Sequence, residues 1–422
     1  MKLKSLYDNE KIDEDLVSHQ IITKLMNRDL ASLDKENFII FPQKLSFSDD
    51  LVQENMIFEL RNGTVWTKNI VGIFSDGTDE LRINSRFSDR KVEEDYFLRY
   101  MLQKVLRYNV IDNTLFSSSS LSYYNLLVFL FPYYLNEAMK KGIFKAYIKK
   151  EYNDSNVKGT IDIERQIKTN IPFIGNVAYR TREFSFDNDL TQLIRHTIEK
   201  IEPMYRFLLE GTEESRENIR AIRQVTSSYA RWEKIDVLNS NLSNSVKHGF
   251  YEEYFLLQQL CIKILSEEKS GFGENSNKIH GIMIDVSWLW EEYIGKVIAW
   301  KHYGRKNNLY TLQLFDEPKT APRYPDFVFN NIPIDTKYKK KLDTRNDYNQ
   351  MTTYIHILSA SKGVFLQPSN DINQGHQRIG YLNGFGGEIF TYKFYIPHMV
   401  KDYEDFVKQI GKSEERLCNQ IF

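Results

Sequence analysis

The chain has 422 residues, 41% hydrophobic and 27% charged, with a formal net charge of −1. That length allows two or three domains, and the composition is that of an ordinary globular protein. The charge balance excludes a polycation, so any nucleic-acid binding must come from local basic clusters or from a partner. The two cysteines, Cys261 and Cys418, lie far apart; they supply neither a disulfide framework nor a zinc site and fit a reducing cytoplasm.

The opening MKLKSLYDNEKIDEDL has no apolar core region and does not read as a signal peptide. Residues 1–35 read as polar helix. From about Phe38 to Phe87 the pattern is short and β-like. Arg61-Asn62-Gly63 between two apolar-polar runs predicts a hairpin, and ELRINSRF predicts a further strand. Residues 1–95 are therefore expected to form an N-terminal β-rich domain.

Helical periodicity begins at Val92 and places Tyr96, Phe97, Met101, Val105 and Leu106 on one face. After the loop DNTLFSSSS, a helical stretch is expected from Leu121 to about Lys150. Its apolar run, Leu121 to Leu135, carries Asn125, Pro132 and four tyrosines and is too short to span a bilayer. A loop-and-strand insert at 151–186 precedes helical segments near 187–210, 214–236 and 248–267. Residues 96–270 thus read as a mainly helical middle region, ended by the Gly-, Ser- and Asn-rich SEEKSGFGENSNK at 266–278. Beyond it, a helix at about 283–302 leads into strands alternating with one helix, which predicts an α/β domain over 279–422. The whole is expected to be a multi-domain α/β protein.

The chemistry concentrates in RYPDFVFNNIPIDTKYK, starting at Arg323. Asn330-Asn331 suits the two positive-φ positions of a type I′ turn. With those two as the loop, Phe329 faces Ile332, and counting outward sets Asp326 opposite Asp335 on one face. Lys337, two residues on, shares that face. Two carboxylates held this close repel unless a cation neutralises them, and a hard divalent ion such as Mg²⁺ takes oxygen ligands of this kind. Such an ion holds a scissile phosphate and acidifies a bound water, while the lysine orients that water or offsets phosphate charge. Pro333 lies inside the second strand and cannot donate to a ladder; a non-bonded position, a bulge or a longer loop would each accommodate it. An ordinary hairpin with its charges in solvent accounts for these residues about as well when the motif is taken alone.

Two flanking helices add to the pattern. NDYNQMTTYIHIL sets Gln350 and Tyr354 four apart on one face. In VSWLWEEYIGKVIAW, Glu291 and Glu292 interrupt an apolar series, and Glu291, beside Trp290, is a candidate third carboxylate; a solvated glutamate is the plain alternative.

The order of helix with Glu, strand with PD, strand with DxK and helix with QxxxY resembles the PD-(D/E)xK nuclease core. Mapped onto it, Glu291, Asp326, Asp335 and Lys337 fall on the motif, with Gln350 and Tyr354 as its RecB-like extension. Asp335 stands where many relatives have Glu. The stretch from EAMKKGIFKAYIKKEYNDSNVKGTIDIERQIKTN through AYRTREFSFDNDLTQLIRHTIEKI, together with WEEY and DTKYK, is similar to the McrC family over roughly residues 130–395. The resemblance implies a C-terminal restriction-endonuclease-like α/β/α core. It implies catalytic Asp326, Asp335, Lys337, Glu291, Gln350 and Tyr354, with metal ligands Asp326, Asp335 and Glu291 for one or two Mg²⁺ ions. It further implies a cytoplasmic DNA endonuclease subunit of a phage-defence restriction system. Its partner would be a McrB-like AAA+ GTPase that recognises modified DNA, and residues 1–95 would engage that motor. A system reading unmethylated sequence, or a non-catalytic adaptor that stimulates a motor, are the competing readings.

The sequence assigns no catalytic role to Lys158, Gly159 or Asp162, which suit a turn and a strand start. Arg180, Arg182, Arg195 and His196 read equally as DNA contacts or as solvated and capping residues. Lys339, Lys340 and Lys341, leaving the hairpin with Lys337, suit a phosphate-binding edge or a solvated loop. The chain has no G-x-x-x-x-G-K-[ST] and no HExxH, hence no P-loop of its own.

Overall fold

A computed structural model describes residues 3–30, 33, 38–42, 56–76, 79–92, 94–106, 123–246, 249–266, 279–298, 300–302, 311–317, 321–373, 375–384 and 386–420. The expected 112–120 loop and nearly all of the 266–278 boundary lie outside the described residues.

The β-rich N-terminal segments do not close on themselves. Their sheet is completed by HGIMID, some two hundred residues downstream in sequence. His280–Asp285 runs antiparallel to Ile70–Ser75 on one side and parallel to Phe38–Phe41 on the other. Glu80–Asn84 continues the sheet beside Ile70–Ser75, and Leu3–Tyr7 forms its edge. The two strands Ile70–Ser75 and Glu80–Asn84 are buried throughout. Gly72 is required at the crossing, because a Cβ there would lie 2.1 Å from the Ile282 carbonyl oxygen.

Several expectations are corrected here. Residues 1–35 begin with a strand, Leu3–Tyr7, before the short helices Glu14–Val17 and Gln20–Leu25. Residues 283–285 are strand, and the helix expected from 283 is Val286–Val297. Asp285 marks the change by accepting from the backbone N–H groups of Ser287 and Trp288, each at 3.0 Å, a helix N-cap. A short apolar run buried on both faces has no periodicity to separate strand from helix. The chain divides into two compact units: one comprises Met1–Tyr123 with Phe272–Phe422, the other Tyr124–Gly271. The hairpin at Arg61-Asn62-Gly63 forms between Phe58–Arg61 and Thr64–Thr67, with positive φ at Asn62 and Gly63. The helix Tyr96–Leu106 buries Phe97, Met101 and Leu106.

In the second unit, the long helix ends at Met139, and Ala146–Asp154 is instead the first strand of a three-stranded sheet with Val177–Ser185 and Thr160–Ile161. Among the described residues this unit also contains the α-helices Ile163–Thr169, Asp189–Leu209, Glu213–Val225, Lys234–Ser243 and Glu252–Ser266. The 158–162 element is explained by packing. A Cβ on Gly159 would meet the Arg180 carbonyl oxygen at 2.1 Å. Asp162 caps the helix Ile163–Thr169 through the Arg165 N–H and pairs with Arg180 at 2.6 Å. Among the described residues no helix is long and apolar enough to cross a membrane.

The first unit also contains a six-stranded sheet in the order Lys301–His302, Phe327–Phe329, Ile332–Thr336, Lys362–Ser369, Glu388–Tyr395, Gly375–Tyr381. Ile332–Thr336 is antiparallel to its predecessor and parallel to Lys362–Ser369. The helix Asn346–Leu358 lies against this sheet, with Met351, Tyr354, Ile355, Phe365 and Ile389 as the shared apolar layer. This layer holds one helical face at a fixed height above the strand that carries Asp335.

Candidate active site

The hairpin forms in the expected register. Phe329 pairs with Ile332, Val328 with Pro333 and Phe327 with Ile334, around Asn330 and Asn331, both at positive φ. Pro333 meets no conflict. The pair next to a two-residue turn exchanges both bonds and the following pair does not, so Pro333 sits at a non-bonded position. On its other edge the ladder to Lys362–Ser369 starts only at Ile334.

One step beyond the last pair, Asp326 and Asp335 come together. Asp335 is 2% exposed, and burial pushes its carboxyl up to about 7, the neighbouring Asp326 charge adding to the rise while Lys337 opposes it. The half-buried Asp326 is also pushed up to about 7, first by burial and then by the charge of Glu291. Thr336 opposes that shift by donating both its backbone N–H and its hydroxyl to Asp326 Oδ2, each at 2.6 Å. Both aspartates are thus held where their ionised forms are undercompensated, the condition that a bound cation relieves.

Lys337 Nζ lies 2.7 Å from Asp335 Oδ2 and donates to Gln350 Oε1 at 2.9 Å. Gln350 Nε2 donates to the Tyr354 hydroxyl at 2.8 Å, which in turn donates to the Tyr324 carbonyl at 2.9 Å. The chain of bonds closes a loop: it starts at the lysine after Asp335 and ends on the backbone two residues before Asp326. Burial raises the Tyr354 phenol far above its usual range, so it acts as a neutral hydrogen-bonding link. Of the expected site residues, Asp335, Lys337, Gln350 and Tyr354 are joined directly, and Asp326 interacts with Asp335 and Lys337 through its charge. Glu291, on the helix Val286–Val297, is coupled to Asp326 through its charge.

Sequence reasoning missed Asp347. It is 4% exposed, accepts from Lys339 Nζ at 2.9 Å and from the Asp343 N–H at 2.7 Å, and lies 3.9 Å from Lys337 Nζ. Its signal was available, since positions 347, 350 and 354 share one helical face. Lys339 is therefore committed to Asp347, and Lys340 sits over the Phe87 ring at 6.0 Å. The arginines of the second unit have local partners: Arg180 pairs with Glu151 and Asp162, Arg182 covers Tyr147, and Arg195 pairs with Glu199 and covers Tyr229. His196 is buried and pushed down to about 4 by burial and by nearby Lys234 and Arg195, so it is neutral at physiological pH.

The donor set suits Mg²⁺. It consists of carboxylate oxygens on the buried Asp335 and the half-buried Asp326, both charge-undercompensated, and Mg²⁺ is commonly held by one or two carboxylates, with waters and substrate phosphate completing its shell. Among the described residues no group of three His, Cys, Asp or Glu side chains is placed to hold a metal ion by itself.

The profile of the family described as McrBC 5-methylcytosine restriction system component matches residues 65–367. The chain belongs to that family. The match includes three strands of the N-terminal sheet, Ile70–Ser75, Glu80–Asn84 and His280–Asp285, and the hairpin with Asp326, Asp335 and Lys337. Two solved structures of McrBC proteins are similar to it. One is a half-complex from a tetradecameric assembly of Thermococcus gammatolerans McrB AAA+ hexamers with bound McrC, with a TM-score of 0.46 and 14% identity over 97% of this chain and 100% of that chain. The other, a cryo-EM structure of the Thermococcus gammatolerans McrBC complex, has a TM-score of 0.29 and 15% identity over 71% and 87% of the respective chains. No curated protein matches the chain.

Proposed function

We propose that this McrBC-family chain is the DNA-cleaving subunit of its restriction system, a Mg²⁺-dependent phosphodiester hydrolase built on a PD-(D/E)xK core. The observation that carries this reading is the convergence of Asp326, Asp335 and Lys337 at one end of a single hairpin. Asp326 and Asp335 are the residues that would hold Mg²⁺ directly, and Glu291, whose charge acts on Asp326, is the further carboxylate that would complete the set for one or two ions once a side chain moves toward the metal. When bound, the ion supplies Lewis acidity to the phosphate and lowers the pKa of a water.

The chain's own residues do the rest. Lys337 Nζ, fixed by Asp335 and Gln350, presents its remaining donor to a phosphate oxygen or to the attacking water. Tyr354, through Tyr324, holds the strand that delivers Asp326. Thr336 engages Asp326 Oδ2 and so sets that carboxylate's orientation.

The net charge of −1 gives little long-range attraction for DNA, so a partner is expected to bring the substrate. The Thermococcus gammatolerans McrC is bound to McrB AAA+ hexamers, and we assign a ring of the same kind, a GTPase that reads modified DNA, to this chain. The test is plasmid cleavage with Mg²⁺ and GTP by the chain plus its ring partner, on methylated and unmethylated DNA. Cleavage of methylated DNA only supports the reading in full. Equal cleavage of both transfers recognition to an unmethylated sequence. GTP turnover stimulated without any cleavage makes the chain an adaptor.

A further inference from the structure

The segment Lys337–Lys339, directly after the strand Ile332–Thr336, is gripped by the N-terminal segment through Tyr338. The Lys339 N–H donates to the Lys337 carbonyl at 2.8 Å, a tight turn centred on Tyr338. Lys337 and Lys339 bond the carboxylates described above, whereas Tyr338 between them bonds Ser85. Tyr338 is 5% exposed. Its hydroxyl lies 2.5 Å from Ser85 Oγ, its ring packs edge-on against Phe87 at 5.1 Å, and the Arg86 guanidinium lies over its face at 5.1 Å.

These three residues follow directly on the buried strand Glu80–Asn84 and are themselves anchored. Arg86 is ion-paired with the fully buried Asp8, donating its backbone N–H at 2.5 Å and its Nε–H at 2.7 Å. The Ser85 N–H donates to Asp95 Oδ2 at 2.6 Å, and Asp95 Oδ1 accepts the Leu98 N–H of the next helix. The same short segment holds two other parts of the C-terminal sheet region. Asn370 donates to the Phe87 carbonyl at 3.0 Å, and the Met399 N–H donates to Asp89 Oδ2 at 2.7 Å. Within DTKYK, Tyr338 is fixed by a polar bond to the 85–87 segment.

We propose that Tyr338 is a positioning residue for Lys337, and that Ser85 holds it, so that the N-terminal sheet sets the lysine's place in the cleavage site. The inference rests on the nuclease reading for its effect on rate, but its geometric content is independent of it. Tyr338→Phe deletes only the hydroxyl and keeps the ring between Phe87 and Arg86. Ser85→Ala deletes the other half of the bond. A shift of the lysine by a fraction of an ångström is enough to lower turnover, because near-attack geometry is lost steeply with distance.

The experiment uses the full chain with its ring partner, GTP and Mg²⁺. Both variants should lower the cleavage rate at saturating DNA about tenfold while leaving the half-saturating DNA concentration unchanged. The double variant should be no slower than either single one, since both remove the same bond. In parallel, the ¹⁵N ammonium signal of Lys337, assigned by its loss in Lys337→Arg, is followed in the isolated chain. It should shift or broaden in Tyr338→Phe and in Ser85→Ala, with the thermal melt keeping a single cooperative transition. Wild-type cleavage and Lys337 signals reproduced by both variants overturn the proposal. If the wild type does not cleave in a way that Asp335→Ala abolishes, the nuclease reading fails, and the Lys337 signal alone decides the positioning role.

Discussion

Replacing Asp335 by Asn should stabilise the metal-free protein at neutral and alkaline pH. Asp335 is 2% exposed and its carboxyl is pushed from 3.8 to about 7 by burial, with Lys337 already in place. With the surrounding dipoles relaxed around the carboxylate, that disfavours the charged form by about 2 kcal/mol. The sign follows from proton binding. Between about pH 4 and 7 the folded state retains a proton that the unfolded state has released, so stability falls as pH rises through that window and stays low above it. The substituted asparagine would mimic the protonated form at every pH. In a folding unit of this size, 2 kcal/mol is about 4–8 °C in melting temperature. Thermal melts in EDTA should therefore give Asp335→Asn a higher Tm than wild type at about pH 8 and a matching Tm near pH 4. Millimolar MgCl₂ at the higher pH should raise the wild-type Tm and leave the variant unmoved. A variant less stable than wild type at pH 8 in EDTA, or stabilised equally by Mg²⁺, would refute the claim of an undercompensated carboxylate awaiting a cation.

Glu291→Gln should weaken Mg²⁺ binding, read by calorimetry, more than Glu292→Gln does, because the Glu291 charge acts on Asp326; the reverse order would put Glu292 in its place. Gly159→Ala should destabilise the second unit, since the new Cβ would lie 2.1 Å from the Arg180 carbonyl oxygen, and a Tm unchanged from wild type would mean that the strands part without cost. Removal of residues 1–95, which the sequence invites as a domain deletion, should yield an aggregating protein. It would take four strands from the sheet that includes His280–Asp285 and the Ser85–Tyr338 bond with them. A monomeric 96–422 fragment with a cooperative melt would contradict that.

The site hairpin was legible because its information is local. Asn330-Asn331 fixes a two-residue turn, the turn fixes the register, and the register sets Asp326 against Asp335 and Lys337 beyond it. Gln350 and Tyr354 were legible for the same reason, as one face of one helix. The N-terminal sheet was not, because one of its inner strands, His280–Asp285, lies about two hundred residues from its partners, and its apolar run carries neither a strand nor a helix period. Long-range pairing leaves no mark in either segment alone. Asp347 went unread although its helical phase matches Gln350 and Tyr354. Tyr338 was hidden among lysines, and its bond to Ser85, some two hundred and fifty residues upstream, leaves no mark in the local sequence.

The central claim is that Asp326, Asp335 and Lys337 form a Mg²⁺-dependent phosphodiesterase site. The most direct measurement is plasmid nicking and linearisation by the chain with its ring partner, comparing wild type with Asp326→Ala, Asp335→Ala and Lys337→Ala, each checked for a native melt. Wild type should cleave only with Mg²⁺, and the rate should fall about a hundredfold or more in every variant. Undiminished metal-dependent cleavage by Asp335→Ala would contradict it.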